Sequence, residues 1–167
     1  MEKEIRDFEN YIRHKNYSDH TRINYISDLE QFHAFLEENK IACRAPENGR
    51  IQIEPAVIRI FLGSLYRRKV KRVTIMRKIA SLRSFFKYLL RDGRIDSNPA
   101  EIIQSPRAEK HLPTVLPREE INRLLDFGFP ENFIGARDRA ILELLYSSGI
   151  RVNELSTLNM DDIDFHQ

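Results

Sequence analysis

"TIMRKIASLRSFFKYLLRDG", residues 74–93, carries apolar side chains at Ile75, Ile79, Leu82, Phe86 and Leu89. Steps of four and three residues put all five on one face of a helix, and Gly93 supplies the stop. A second stripe runs through Arg77, Ser81, Ser84, Tyr88 and Arg91 with the same steps, and is predicted to face outward. Small serines let a helix approach a surface closely. Arginines at both ends reach phosphates or base edges. The stretch is read as a helix that buries one side in a helical domain and offers the other to a DNA groove.

The surrounding charge supports this. Eleven basic residues lie between Arg67 and Arg94, opposed only by Asp92. Most charge runs are solvated faces laced by acids one turn away; this one has almost no acids. The imbalance is also local. Residues 1–110 hold 22 Lys and Arg against 15 Asp and Glu, whereas residues 111–167 hold 5 against 10, so net charges of +7 and −5 hide behind a total of +2. Double-stranded DNA is the expected partner, because no aromatic platform for single-strand stacking is visible. The expected contacts are Arg77, Lys78, Ser81, Ser84, Lys87, Tyr88 and Arg91.

Upstream, three more helices complete a four-helix domain. Ile5, Phe8 and Ile12 share a face. Ser18 caps a second helix with the stripe Tyr25, Leu29, Phe32 and Leu36. Pro46 and Gly49 break the chain, and Pro55 opens a third helix carrying Val57, Ile58, Phe61, Leu62 and Leu65. The fourth helix is expected to begin at Thr74.

Downstream, four of the seven prolines fall between Ser97 and Pro117, which reads as an extended linker. A helix follows from Pro117 with Glu119 and Glu120 in its first turn and Ile121, Leu124 and Leu125 inward. Another runs from about Arg137 to Ser148, with Ile141, Leu144 and Leu145 inward and Gly149 as its cap. A short helix follows Arg151, and "DIDFHQ" reads as a turn into a strand. The expected domains are 1–96, a linker 97–116, and 117–167.

Other classes find no support. One cysteine, Cys43, rules out an internal disulfide and fits a reducing compartment; with no signal peptide or membrane-length apolar run, the cytoplasm is expected. The five histidines and Cys43 lack ligand spacing, and Asp161, Asp162 and Asp164 lack the rest of a cation loop. There is no glycine-rich phosphate loop, hence no nucleotide site, and no small-molecule substrate is indicated.

"YSDHTRINYISDLEQFHAFL", "ASLRSFFKYLLRDGRIDSNPA" and "RDRAILELLYSSGIRVNELSTLNMDDID" together resemble the tyrosine recombinases, in the phage-integrase and Xer-like branch. The resemblance spans the chain in the family's order: Tyr17, Ser18, Thr21, Tyr25, Asp28, Leu29 and Phe32, then "NPA", "LPREEINRLL" and "SGIRVNEL". It implies an all-α chain: a four-helix SAM-like core-binding domain, then the mainly helical start of an α/β catalytic domain. It adds Thr21 to the DNA contacts. It implies DNA breakage and rejoining through a 3′-phosphotyrosine with no metal or energy cofactor, and self-association on DNA. Arg151 matches the first catalytic arginine, which clamps the scissile phosphate, and Glu154 matches its acidic support. The family's remaining catalytic residues come later. No lysine follows Lys110, no tyrosine follows Tyr146, and His166 is the one histidine after Arg151. The sequence is therefore expected to bind DNA without cutting it. The alternative is a non-catalytic helical DNA-binding regulator or architectural protein, which does not account for an arginine opening a helix in an acidic lobe.

Overall fold

The computed structural model describes residues 1–43, 50–107 and 114–163. These form α1 (Glu2–His14), α2 (Asp19–Glu38), α3 (Pro55–Arg67), α4 (Arg72–Arg91), α5 (Arg118–Leu125), α6 (Phe133–Ser148), α7 (Val152–Ser156) and a 3₁₀ turn at Met160–Asp162. No strand occurs among the described residues. The chain divides into two units, Met1–Lys110 and His111–Gln167.

In the first unit α1 and α2 pack on each other and both on α4. The expected stripes become its core: Phe8, Ile12, Leu29, Phe32, Ile58, Ile75, Leu82, Phe86 and Leu89 are fully buried, and Phe85 joins them. Aromatic rings tie the layers together. Phe8 meets Phe85 edge-on at 5.5 Å, and Phe32 meets Phe61 of α3 at 5.1 Å. Each such ring withdraws enough apolar area to favour folding by about 1.5–3 kcal/mol.

The helix ends follow local rules. Ser18 Oγ accepts the Thr21 N–H at the start of α2, and Pro55 occupies the first turn of α3. α4 begins at Arg72, two residues before the expected Thr74. All four helices of this unit end in the same pattern. The N–H groups of Tyr17, Ile41, Val70 and Arg94 bond back to the carbonyls of Ile12, Leu36, Leu65 and Leu89. The residue before each has positive φ: Asn16, Lys40, Lys69 and Gly93 at 55°, 52°, 55° and 68°. This is the Schellman ending, in which the left-handed residue favours glycine; two lysines occupy it here.

Composition predicts an extended linker from residue 97, but the structure keeps its first part on the first unit. Ala100 and Ile103 are buried. The Arg83 guanidinium donates to the carbonyl oxygens of Ala100 (3.2 Å) and Ile103. Asn98 closes the turn, its amide donating to Arg83 O and its oxygen accepting the Ala100 N–H. Pro99 and Pro106 keep a long helix from running through the segment, but they do not forbid packing.

In the second unit α6 begins at Phe133, a turn before the expected Arg137, because Asn132 caps it by accepting the Gly135 N–H at 2.9 Å. A Cβ on Gly135 would sit 1.9 Å from the Pro130 carbonyl oxygen, so only glycine fits under that turn. Gly149 ends α6 in the left-handed region, φ 66°, as expected. The inward side chains are less covered than expected: Leu124 is exposed, and Ile121, Leu125, Ile141, Leu144 and Leu145 are half-buried. Ile163 is extended. The rest of the expected strand (164–167), the Pro46–Gly49 break and Pro113 lie outside the described residues.

Candidate nucleic-acid interface and arginine site

The exposed stripe of α4 differs from the one read from sequence. Lys78 and Ser81 are buried, at 3% and 0% exposure, and face α2 instead. There Asp28, itself 1% exposed, collects three donors. Lys78 Nζ lies 2.7 Å from Oδ1; Ser81 Oγ and Arg77 Nη1 lie 2.9 Å and 2.5 Å from Oδ2. Lys78 also donates to Gln31 Oε1, and Arg77 to the Asn24 carbonyl. A buried carboxylate is tolerated only with such partners. Lys78 and Ser81 are thus corrected from outward-facing contacts to parts of an interhelical lock.

The surface stripe therefore runs Arg77, Ala80, Ser84, Lys87 and Arg91. Lys87 and Arg91 are exposed, and Arg77 and Ser84 are half-buried. Ala80 and Ser84 make a low centre between basic ends, and neither Lys87 nor Arg91 has a carboxylate partner among the described residues. Tyr88 is half-buried and turns toward α1. Its ring stacks on Tyr11 at 5.0 Å, and burial pushes its phenol up from the usual tyrosine range. Arg91 donates to Tyr11 OH at 2.9 Å, with its guanidinium carbon 4.3 Å above the Tyr11 ring. Thr21, half-buried, shares a hydrogen bond with Ser18 at the start of α2.

Arg151 lies in the second unit at the start of α7, in extended backbone. Glu154 reaches back with both oxygens. Oε2 accepts the Arg151 backbone N–H at 2.7 Å, and Oε1 takes the guanidinium at 3.0 Å. The first bond is half of a capping box, and the second aims the side chain. The Arg151 side chain is 84% exposed, so the pair contributes little to stability. Its guanidinium stands in solvent with one donor on Glu154, and a guanidinium carries further donors in the same fork.

Sequence reasoning named Asp28 only within the family resemblance and gave no role to Tyr11, Ala80 or Arg83. Asp28 left a signal: it stands four residues before Phe32 on the apolar stripe of α2, where a charge needs a partner. Among the described residues no three His, Cys, Asp or Glu side chains are grouped to hold a metal ion, and no helix is long and apolar enough to cross a membrane.

The comparisons with known proteins agree with this fold. Residues 5–93 match the family described as "Phage integrase, N-terminal SAM-like domain", and residues 114–167 match the "Phage integrase family". The chain belongs to the phage integrase family of tyrosine recombinases. It is 50% identical over 169 residues to the tyrosine recombinase XerC of Syntrophus aciditrophicus (strain SB), covering 100% of this chain and 54% of that protein. It is 36% identical over 161 residues to the XerC of Bacillus subtilis (strain 168), covering 96% of this chain and 51% of that protein. The chain thus spans about half the length of the curated relatives it matches. Its fold is similar to that of the integrase from mycobacterium phage Brujita, with a TM-score of 0.54 at 18% identity over 96% of this chain and 50% of that one.

Proposed function

We propose that these residues are the DNA-binding portion of a site-specific tyrosine recombinase, holding double-stranded DNA along the exposed edge of α4. One observation carries this reading: the stripe Arg77, Ala80, Ser84, Lys87 and Arg91 is basic at its ends, low at its centre and, among the described residues, free of compensating carboxylates at Lys87 and Arg91. A helix of that shape sits in a major groove with its small residues toward the bases and its cations on the flanking phosphates. Thr21, at the start of α2, adds a hydroxyl for the backbone.

In the whole enzyme, strand breakage and rejoining proceed through a 3′-phosphotyrosine. Arg151 then clamps the scissile phosphate: its guanidinium fork matches two phosphate oxygens, and its charge offsets what builds up in the transition state. Glu154 keeps that fork in place. No metal or nucleotide is needed for these roles. The work takes place on DNA in the cytoplasm, with copies associating on the duplex. The 167 residues alone bind without cutting, since Tyr146 precedes Arg151 on α6 and no later tyrosine offers a nucleophile.

The test is fluorescence anisotropy of the chain with a labelled duplex across a salt series, followed by a denaturing gel for covalent protein–DNA adducts. Binding that weakens steeply with salt, with no adduct, is the expected result. Binding indifferent to salt would sink the DNA-binding reading, and an adduct would sink the bind-only reading.

A further inference from the structure

The basic edge of α4 does not end in open solvent. At its C-terminal end it borders a cleft of about 360 Å³ between the end of α1, the turn joining α1 to α2 and the last turns of α4. Tyr11, Tyr17, Ser84, Lys87, Tyr88, Leu90 and Arg91 line it. Four of these are hydroxyl-bearing, two are cations and none is a carboxylate. The nearby acids offset only part of this: Arg94, 2.8 Å from Asp7 and 2.6 Å from Asp92, leaves one of their two charges against the two cations of the lining. The cleft therefore keeps an uncompensated positive charge.

Its arginine is also aimed in advance. The Tyr11 ring lies under the Arg91 guanidinium, the Tyr11 oxygen accepts from Nη1, and Tyr88 stacks on Tyr11. Among the described residues one donor of the guanidinium is used, and the others stay available. The Tyr11 hydroxyl, accepting from Arg91, keeps its own proton to give. Cations and hydroxyls without carboxylates match a tetrahedral oxyanion bearing one negative charge. Aromatic walls suit a sugar edge better than bulk ions.

We propose that this cleft seats a single backbone phosphodiester of duplex DNA, held by Arg91 and Lys87, with Tyr11 of α1 as the residue that positions Arg91. The inference rests on the DNA-binding reading and deepens it. It gathers the cations at the C-terminal end of the α4 stripe onto one phosphate and assigns a part to α1, a helix with no place in that stripe. Such an anchor fixes the register of the helix along the duplex, while the low centre at Ala80 and Ser84 is left to the bases.

The experiment measures the salt dependence of binding to a labelled 20-bp duplex for the whole chain and for three variants. Arg91→Ala removes one phosphate contact, so the slope of log K against log salt is expected to flatten by about 0.9. Arg91→Lys keeps the charge but loses the fork, so its slope is expected to stay and its affinity to fall. Tyr11→Phe keeps ring and charge but loses the hydroxyl: an unchanged slope and thermal midpoint are expected, with affinity about 3- to 10-fold weaker, the size of one hydrogen bond. A purely structural Tyr11 would move the midpoint and leave the affinity of the folded protein alone. Wild-type binding with all three variants matching it in slope and affinity would overturn the cleft and leave the wider reading standing. No salt-dependent binding by the wild type would overturn both. Displacement of the duplex by millimolar mononucleotide as readily as by excess unlabelled duplex would also overturn it, since the cleft would then be a small-molecule site.

Discussion

The Lys78 ammonium lies 2.7 Å from Asp28 Oδ1, with both side chains almost wholly withdrawn from solvent. α2 and α4 are therefore joined by charge as well as by Leu29, Phe32, Leu82 and Phe86. Removing one partner of a buried pair strands the other, at about 3–5 kcal/mol. Asp28→Ala is expected to lower unfolding free energy by that amount in urea titration. The double replacement Asp28→Leu with Lys78→Met is expected to recover most of it. A loss under about 1 kcal/mol for Asp28→Ala would mean that the lock contributes no more than an exposed pair.

Arg83 clasps the chain where it leaves the first unit, through the carbonyls of Ala100 and Ile103. Arg83→Ala is expected to speed amide hydrogen exchange across residues 98–103 while the interior of α1 and α2 keeps its protection. Arg83→Lys, which cannot reach both carbonyls with one planar group, is expected to rescue little. Unaltered exchange at 98–103 in Arg83→Ala would show that burial of Ala100 and Ile103 alone holds the segment.

Lys69 ends α3 with φ at 55°. A left-handed residue with a Cβ costs about 1 kcal/mol, so Lys69→Gly is expected to stabilise by a few tenths to about 1 kcal/mol after the added freedom of the unfolded chain is counted. Lys69→Val, β-branched, is expected to destabilise by about 1 kcal/mol or more. The two thermal midpoints must move in opposite directions; movement in the same direction would contradict the assigned ending.

Burial raises the phenol pKa of both Tyr25 and Tyr88 above the usual 10.0. A group that holds its proton more tightly when folded contributes stability that is fully present below its unfolded pKa and lost as pH rises through the folded one. Stability is thus expected to be insensitive to these two groups below about pH 9 and to fall above about pH 10. Ultraviolet titration should find a subset of the six tyrosines ionising later in the folded chain than in urea; six indistinguishable tyrosines in the folded chain would contradict the burial of these two.

The helices of the first unit were legible because their apolar spacing is strict and their ends are marked by Ser18, Pro55 and Gly93. The exposed stripe of α4 was harder to read. Ser81 and Ser84 look alike in sequence, yet one faces Asp28 and the other the surface, and only the packing of α2 decides which. Lys78 looked like any basic residue of an open face for the same reason. Arg151 and Glu154 were marked by the family resemblance, and their pairing was legible because it is local, three residues on one short helix. Tyr11 was not, since its partners Tyr88 and Arg91 come from the far end of the domain. The half-buried leucines of α5 and α6 show the limit of periodicity, which says which side is apolar but not how completely it is covered.

The central claim is that the basic edge of α4 is the surface that meets DNA. The most direct test is to titrate the isotope-labelled chain with a short duplex and follow backbone amide resonances. The largest shifts are expected at Ser84, Lys87, Tyr88 and Arg91 and around Tyr17 to Thr21, with buried Lys78 and Ser81 moving less. Shifts confined to the acidic groove between α1 and α2, around Glu9, Glu30 and Glu37, or no shifts at all, would contradict it.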